Sequence, residues 1–233
     1  MLLYTSFLNR AEPSSSLPSV MTYSYEGATV DNTNASSYTF TGKNIGAAGS
    51  GRVIAIGVTV NVSNVGTPRS ITGVTANGSA MTSGVSLTGG STGHGSAAWF
   101  YLTITTGTTA TFVVTTSSGV TNCTIVAYRL FPISSTPVDA VASTDSASSA
   151  TIADLEVKPT GLALILSNFT TGGLDSASWS GVDTPVRNEA DLTNDRPGPT
   201  NAWSIPTTEN DTTRDFTINA SGSTIRAVGI SFQ

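Results

Sequence analysis

With 233 residues, 38% of them apolar and 11% charged, the chain can fill one large β domain or two small sandwiches, and it lacks the composition of a disordered segment. The formal charge is −5 and the only lysines are Lys43 and Lys158, so no basic patch exists to track a nucleic-acid backbone. A single cysteine, Cys123, rules out an intrachain disulfide, and no run approaches the roughly 18 apolar residues of a membrane span.

Residues 1–20 differ in character from the rest of the chain. Leu2, Leu3, Tyr4, Phe7 and Leu8 form a short apolar peptide, and Pro13 to Pro18 form a Ser/Pro linker. The start MLLYTSFLNRAEP has neither a basic leader nor a sustained apolar run, so it reads as a poor signal peptide. The expectation is an arm that docks on a neighbouring subunit, with Leu3, Tyr4, Phe7 and Leu8 as anchors. The alternative is that it folds back as an edge strand on its own sandwich. Free in water, it would expose several large apolar side chains on a flexible tether.

Residues 21–131 read as a first β-sandwich repeat. Tyr23 and Tyr25 alternate with polar residues and suggest an edge strand. From Arg52 to Val62, Ile54, Ile56, Val58, Val60 and Val62 fall on one face, with Ala55, Gly57, Thr59 and Asn61 on the other. Ile71 to Met81 reads as a hairpin around Asn77-Gly78, the best type I′ signal in the chain, because both turn positions require positive φ. The segment 97–131 reads as three consecutive antiparallel strands with turns at Thr106-Gly107-Thr108 and Ser117-Ser118-Gly119.

Residues 132–149, with two prolines among small polar residues, read as a linker or a crossover, and 150–233 as a second repeat. The duplication is carried by Ala98-Trp99 and Ala202-Trp203, each followed thirteen residues later by phenylalanine (112 − 99 = 216 − 203 = 13). Ile125-Val126-Ala127 and Ile225-Arg226-Ala227 extend the match, as does Gly161 to Asn168 beside the Arg52–Val62 strand. Helical periodicity is absent. The expected fold is all-β, with two homologous antiparallel sandwich repeats of jelly-roll or immunoglobulin-like type. The alternative is one pseudo-twofold sandwich to which each repeat contributes a sheet.

Catalytic chemistry is hard to place. The only histidine, His94, sits in the Gly-rich stretch from Leu87 to Ser96, with no nucleophile elbow in the chain and no Lys-Ser/Thr of a phosphate loop. Glu189, Asp191, Asn194, Asp195, Glu209, Asn210, Asp211 and Asp215 gather in the second repeat, but their spacing matches no calcium loop, so no metal is assigned. Cys123 lies mid-strand and reads as a small buried hydrophobe. Glycan acceptor triplets recur at Asn34, Asn61, Asn77, Asn122 and Asn168; Asn61 and Asn122 fall inside strands, where a glycan would disrupt pairing. Trp99 and Trp203 read as core residues. Trp179, aligned by its neighbouring turn with Ala76, could be an exposed ligand platform.

Ser37-Tyr38-Thr39-Phe40, the strand Gly51 to Val58, the Ile71–Met81 hairpin and Ala98-Trp99 together resemble small β-rich structural proteins of tailed-phage particles and of related gene-transfer-agent particles. The likeness covers roughly residues 35 to 232, as an order of short strands and Gly/Thr turns. It implies a non-enzymatic sandwich that decorates a head or tail, without cofactors or catalytic residues. The expected partners are other virion proteins and further copies of the chain, with no nucleic acid and no membrane span. The expected location is the virion, after assembly in the host cytoplasm. A second reading, from a different class, is a carbohydrate-binding module that uses Trp179 to attach a particle to host surface glycans.

Overall fold

The computed structural model describes residues 21–62, 68–89, 95–132, 134–143, 146–169, 178–182, 184–186, 200–204 and 212–233. All regular structure among them is β, and every strand pair is antiparallel. No helix among the described residues is long and apolar enough to cross a membrane.

The first half makes two facing sheets. A central sheet runs in the order β1 (Thr22–Asp31), β9 (Asn122–Phe131), β3 (Val53–Asn61), β7 (Gly95–Thr103), β6 (Thr82–Thr88). An outer sheet runs β2 (Ala35–Asn44), β8 (Thr109–Val120), β4 (Ile71–Ala76), β5 (Ser79–Ala80). β3 lies in the middle because both its faces are apolar or small, and all nine of its residues are buried. Ile54, Ile56, Val58 and Val60 pack against Tyr38, Phe40, Val74, Phe112 and Val114 of the outer sheet. Residues 22–131 thus supply two facing sheets with a core between them.

The second half builds a third sheet, β10 (Asp139–Ala142), β16 (Thr212–Phe232), β12 (Leu162–Phe169), β15 (Thr200–Ser204), β14 (Thr184–Val186). β11 (Ser146–Val157) and β13 (Ser178–Ser180) pair with β16 as well. The 21-residue β16 serves two layers. Its early part pairs with β11 and β13, and its late part with β12 and β10. Ile152, Leu155, Phe216 and Ile218 are buried with Ala163, Ile165, Phe169 and Ile225 in a separate core between those layers. The stretch 132–149, expected as linker or crossover, thus contains β10 and the beginning of β11. Its Asp139 accounts for this, since its carboxylate accepts from the Glu156 amide at 2.9 Å and ties β10 to β11.

The two halves meet back to back across a third core. Val53, Ala55, Ala97, Trp99, Val126, Tyr128 and Leu130 of the central sheet pack on Leu162, Leu164, Leu166, Val228, Ile230 and Phe232. Small residues permit the approach. A Cβ on Gly57 would stand 3.0 Å from the Trp99 ring and 3.1 Å from Leu166 Cδ2. The Trp99 indole donates to the Val228 carbonyl at 3.3 Å, bonding one half to the other. Each fully buried large side chain contributes about 1.5–3 kcal/mol of burial free energy before entropy costs, so this seam is a principal stabilising feature.

Two expectations are corrected. The turn expected at Ser117-Ser118-Gly119 is strand, since β8 runs on to Val120 and only Thr121 separates it from β9. The reason is that β7 and β9 lie in the central sheet on either side of β3 while β8 lies in the outer one. The chain therefore turns a corner between layers at each end of β8, and none of the three consecutive strands expected in 97–131 pairs with the next. The Thr121 amide donates to the Asn61 carbonyl at 2.7 Å and holds that corner. The second correction concerns how the last strands of the two halves align. Trp99 and Trp203, and Phe112 and Phe216, are each 104 apart. At that offset Arg226 answers to Asn122, not to Val126, and the pairing agrees: Asn122 opposes Asn61, and Arg226 opposes Asn168.

Candidate functional site

Of the residues expected to dock a partner or carry a ligand, Trp179 is the one the structure describes. It occupies β13 with Ser178 and Ser180, and its pairing partner is Ile218 of β16. Ser178 and Ser180 are exposed, whereas Trp179 is half-buried and packs against the second-half core. Alternation along a strand sends it inward. Its Nε1 is shielded from solvent and meets no hydrogen-bond acceptor among the described residues.

Register explains why a tryptophan stands there. Ile218 answers to Val114 (218 − 104 = 114). In the first half Val114 lies between Tyr38 and Val74; in the second, Ile218 lies between Ala150 and Trp179. One row places its aromatic on the β2 side and its small residue on the β4 side. The other row reverses them. Each fills the same cross-section of a sandwich once, as close packing demands. Trp179 therefore corresponds to Val74, two residues from the Ala76 that the neighbouring turn suggested, and acts as a space-filling residue at the edge of a core.

The polar side chains that sequence reasoning missed are the buried arginines. Arg52 is fully buried. Its guanidinium donates to the carbonyls of Ile104 at 2.6 Å, Gly46 at 2.8 Å, Thr106 at 2.7 Å and Ile45 at 3.4 Å. It pins the loops at 45–51 and 104–108 to the start of β3. Burial, with the Arg129 charge nearby, lowers its pKa from the ordinary 12.5. Beside it Arg129 pairs with Glu26 at 3.3 Å, and Glu26 accepts from Asn44 Nδ2 at 2.5 Å.

Arg226 is also fully buried, at one end of the seam with Asn61, Asn122, Thr124 and Asn168. A Cβ on Gly89 would stand 2.5 Å from its Nε and 2.6 Å from its Cζ, so a side chain at that end of the Gly-rich stretch would have to displace the guanidinium. At the other end a Cβ on Gly95 would meet Asn168 Oδ1, and would lie 2.6 Å from Asn61 Oδ1. A charged residue one position after an apolar strand residue was the available signal for Arg226. It was masked by the Ile-x-Ala match.

These arrangements organise loops and a seam; they bring together no acid, base and nucleophile. Cys123 is buried, and burial, then the Asp31 charge, pushes its thiol pKa far above 9.0, which suppresses thiolate chemistry. Asn61, Asn122 and Asn168 are buried, so glycans would not fit on them. Asp215 Oδ1 accepts from the Asp154 amide at 2.9 Å, and no group of three or more His, Cys, Asp or Glu is placed to hold a metal among the described residues. His94, Trp203's side chain, the acidic residues Glu189, Asp191, Asn194, Asp195, Glu209, Asn210 and Asp211, and the arm with Leu3, Tyr4, Phe7 and Leu8 lie outside what is described. No protein-family model matches the chain, and no curated protein matches it.

Proposed function

We propose that the protein is a non-enzymatic structural component of a phage-like particle, carried on its head or tail and assembled in the host cytoplasm. The observation that carries this reading is the stack itself. Two sandwiches are joined through a continuous apolar seam into one block, and both outer faces are tiled with hydroxyl groups. On the first half these are Ser37, Thr39 and Thr115, and on the second Thr151, Ser178 and Ser180, all exposed. Hydroxyl-rich faces of this kind, which on the second half also carry the exposed Asp154 and Asp215, keep the charge density of packed copies low on a symmetric particle. The likeness of the sequence to phage structural proteins supports the same reading.

Attachment falls to the N-terminal arm, with Leu3, Tyr4, Phe7 and Leu8 as anchors to a neighbouring virion subunit. Repeated copies would turn modest single-site affinity into firm attachment. The inward register of Trp179 lends no support to the glycan-binding alternative. Mass spectrometry of purified particles tests the proposal: the chain is expected in intact particles in many copies, and its absence from them overturns it. Removing residues 1–18 is expected to leave a folded protein of unchanged Tm that no longer joins particles. A large drop in Tm would instead assign the arm to the protein's own core.

A further inference from the structure

We infer that Asn77 is a site of spontaneous, non-enzymatic backbone modification, with a rate set by opening of the β4–β5 turn. Asn77-Gly78 is the only Asn-Gly pair in the chain. Both residues are exposed, with φ of 49° and 82°. A Cβ on Gly78 would meet nothing within 4 Å, so no side chain crowds the turn at the position that follows Asn77. The chemistry needs no co-reactant beyond water. The Gly78 amide nitrogen attacks Asn77 Cγ, a C–N bond forms, and Nδ2 leaves as ammonia with the proton that the Gly78 nitrogen gives up. Water then opens the five-membered imide at either carbonyl. One opening leaves aspartate, and the other leaves isoaspartate, with the chain running through the former side chain.

The folded turn opposes the first step. The imide closes only with the Asn77 backbone outside the left-handed region that the turn imposes. Two bonds hold it there: the Asn77 amide donates to the Thr111 carbonyl at 2.8 Å, and the Thr111 amide donates to Asn77 Oδ1 at 2.8 Å. Reaction therefore proceeds from the fraction of molecules in which the tip has opened, and local opening at an exposed turn costs far less than global unfolding. Once isoaspartate forms, the added backbone atom and the new carboxylate destroy the paired geometry with Thr111. Opening becomes irreversible at the tip of the outer sheet.

The test is incubation of the intact chain at mildly alkaline pH, folded and in concentrated urea, followed by peptide mapping with isoaspartate detection. In the folded protein the mass gain of an amide-to-carboxyl exchange is expected at Asn77, about tenfold or more slower than in urea, the difference being the population of the open turn. Asn77→Gly, which keeps positive φ accessible but loses the bond from the Thr111 amide, is expected to remove the gain and to lower Tm by no more than a few degrees. Equal rates in the two states overturn the gating by Thr111. No gain at Asn77 in the folded protein, or gain chiefly at other asparagines, overturns the assignment of the site.

Discussion

The rows Tyr38–Val114–Val74 and Ala150–Ile218–Trp179 occupy the same place in the two halves and are filled in opposite order. Neither half repeats the other's side chains, and both solve the same packing problem. The first row also uses its aromatic as a polar tether. The Tyr38 hydroxyl reaches the Thr33 and Val120 carbonyls, each at 2.6 Å, and accepts from the Ala35 amide at 3.2 Å. The second row has only the Trp179 ring, whose Nε1 finds no acceptor among the described residues. Cross-section is therefore what the two rows have in common, while polar fastening is particular to the first.

The largest way to break this comparison is Tyr38→Ala. It removes a fully buried aromatic and strands the Val120 carbonyl, so a loss of about 4 kcal/mol or more is expected in urea denaturation, near the upper range for aromatic truncation. Trp179→Ala should cost less, about 2–3 kcal/mol, because the ring is only half-buried. An unchanged Tm in that variant would mean that the ring is not a packing element, and would reopen the reading of Trp179 as an exposed platform.

Gly57→Ala probes the seam instead of the rows. Its Cβ must push the Trp99 ring, and a loss of about 1–3 kcal/mol is expected. The smallest effect belongs to Tyr38→Phe near neutral pH, about 1 kcal/mol from the lost hydroxyl bonds. Its signature lies in the pH profile. Burial raises the Tyr38 pKa above the ordinary 10.0, so the folded state favours the neutral phenol. That contribution is complete below pH 10 and is lost as pH rises toward the raised value. Buried Cys123, also raised, acts in the same direction from its ordinary 9.0 upward. Thermal melts of the native chain should fall steeply above that range, and Tyr38→Phe should flatten the fall.

Much of the strand plan could be read from alternation. Ile54, Ile56, Val58 and Val60 mark a core face without help, and Asn77-Gly78 marks its turn because so few residues accept positive φ. Layer assignment could not be read. Nothing in Ser117-Ser118-Gly119 distinguishes a hairpin turn from a strand that leads into a corner between sheets, since the same small polar residues suit both. The alignment of Trp179 with Ala76 fails for a related reason. Its turn at Gly181 has φ of 82°, like Gly78, yet this turn arrives two residues sooner relative to β16. A slip of two keeps a residue on the same face, so the pattern gives no warning. Arg52 was invisible because its partners are backbone carbonyls, which leave no trace in side-chain composition.

The seam is the claim on which the rest depends, because it joins the first half's sheets to those of the second half. The most direct test is to produce residues 21–132 alone and determine their mass in solution by light scattering. Without the third sheet, the face carrying Val53, Ala55, Trp99, Tyr128 and Leu130 is exposed to water, so self-association or aggregation is expected. A monodisperse monomer that melts at the temperature of the whole chain would contradict it.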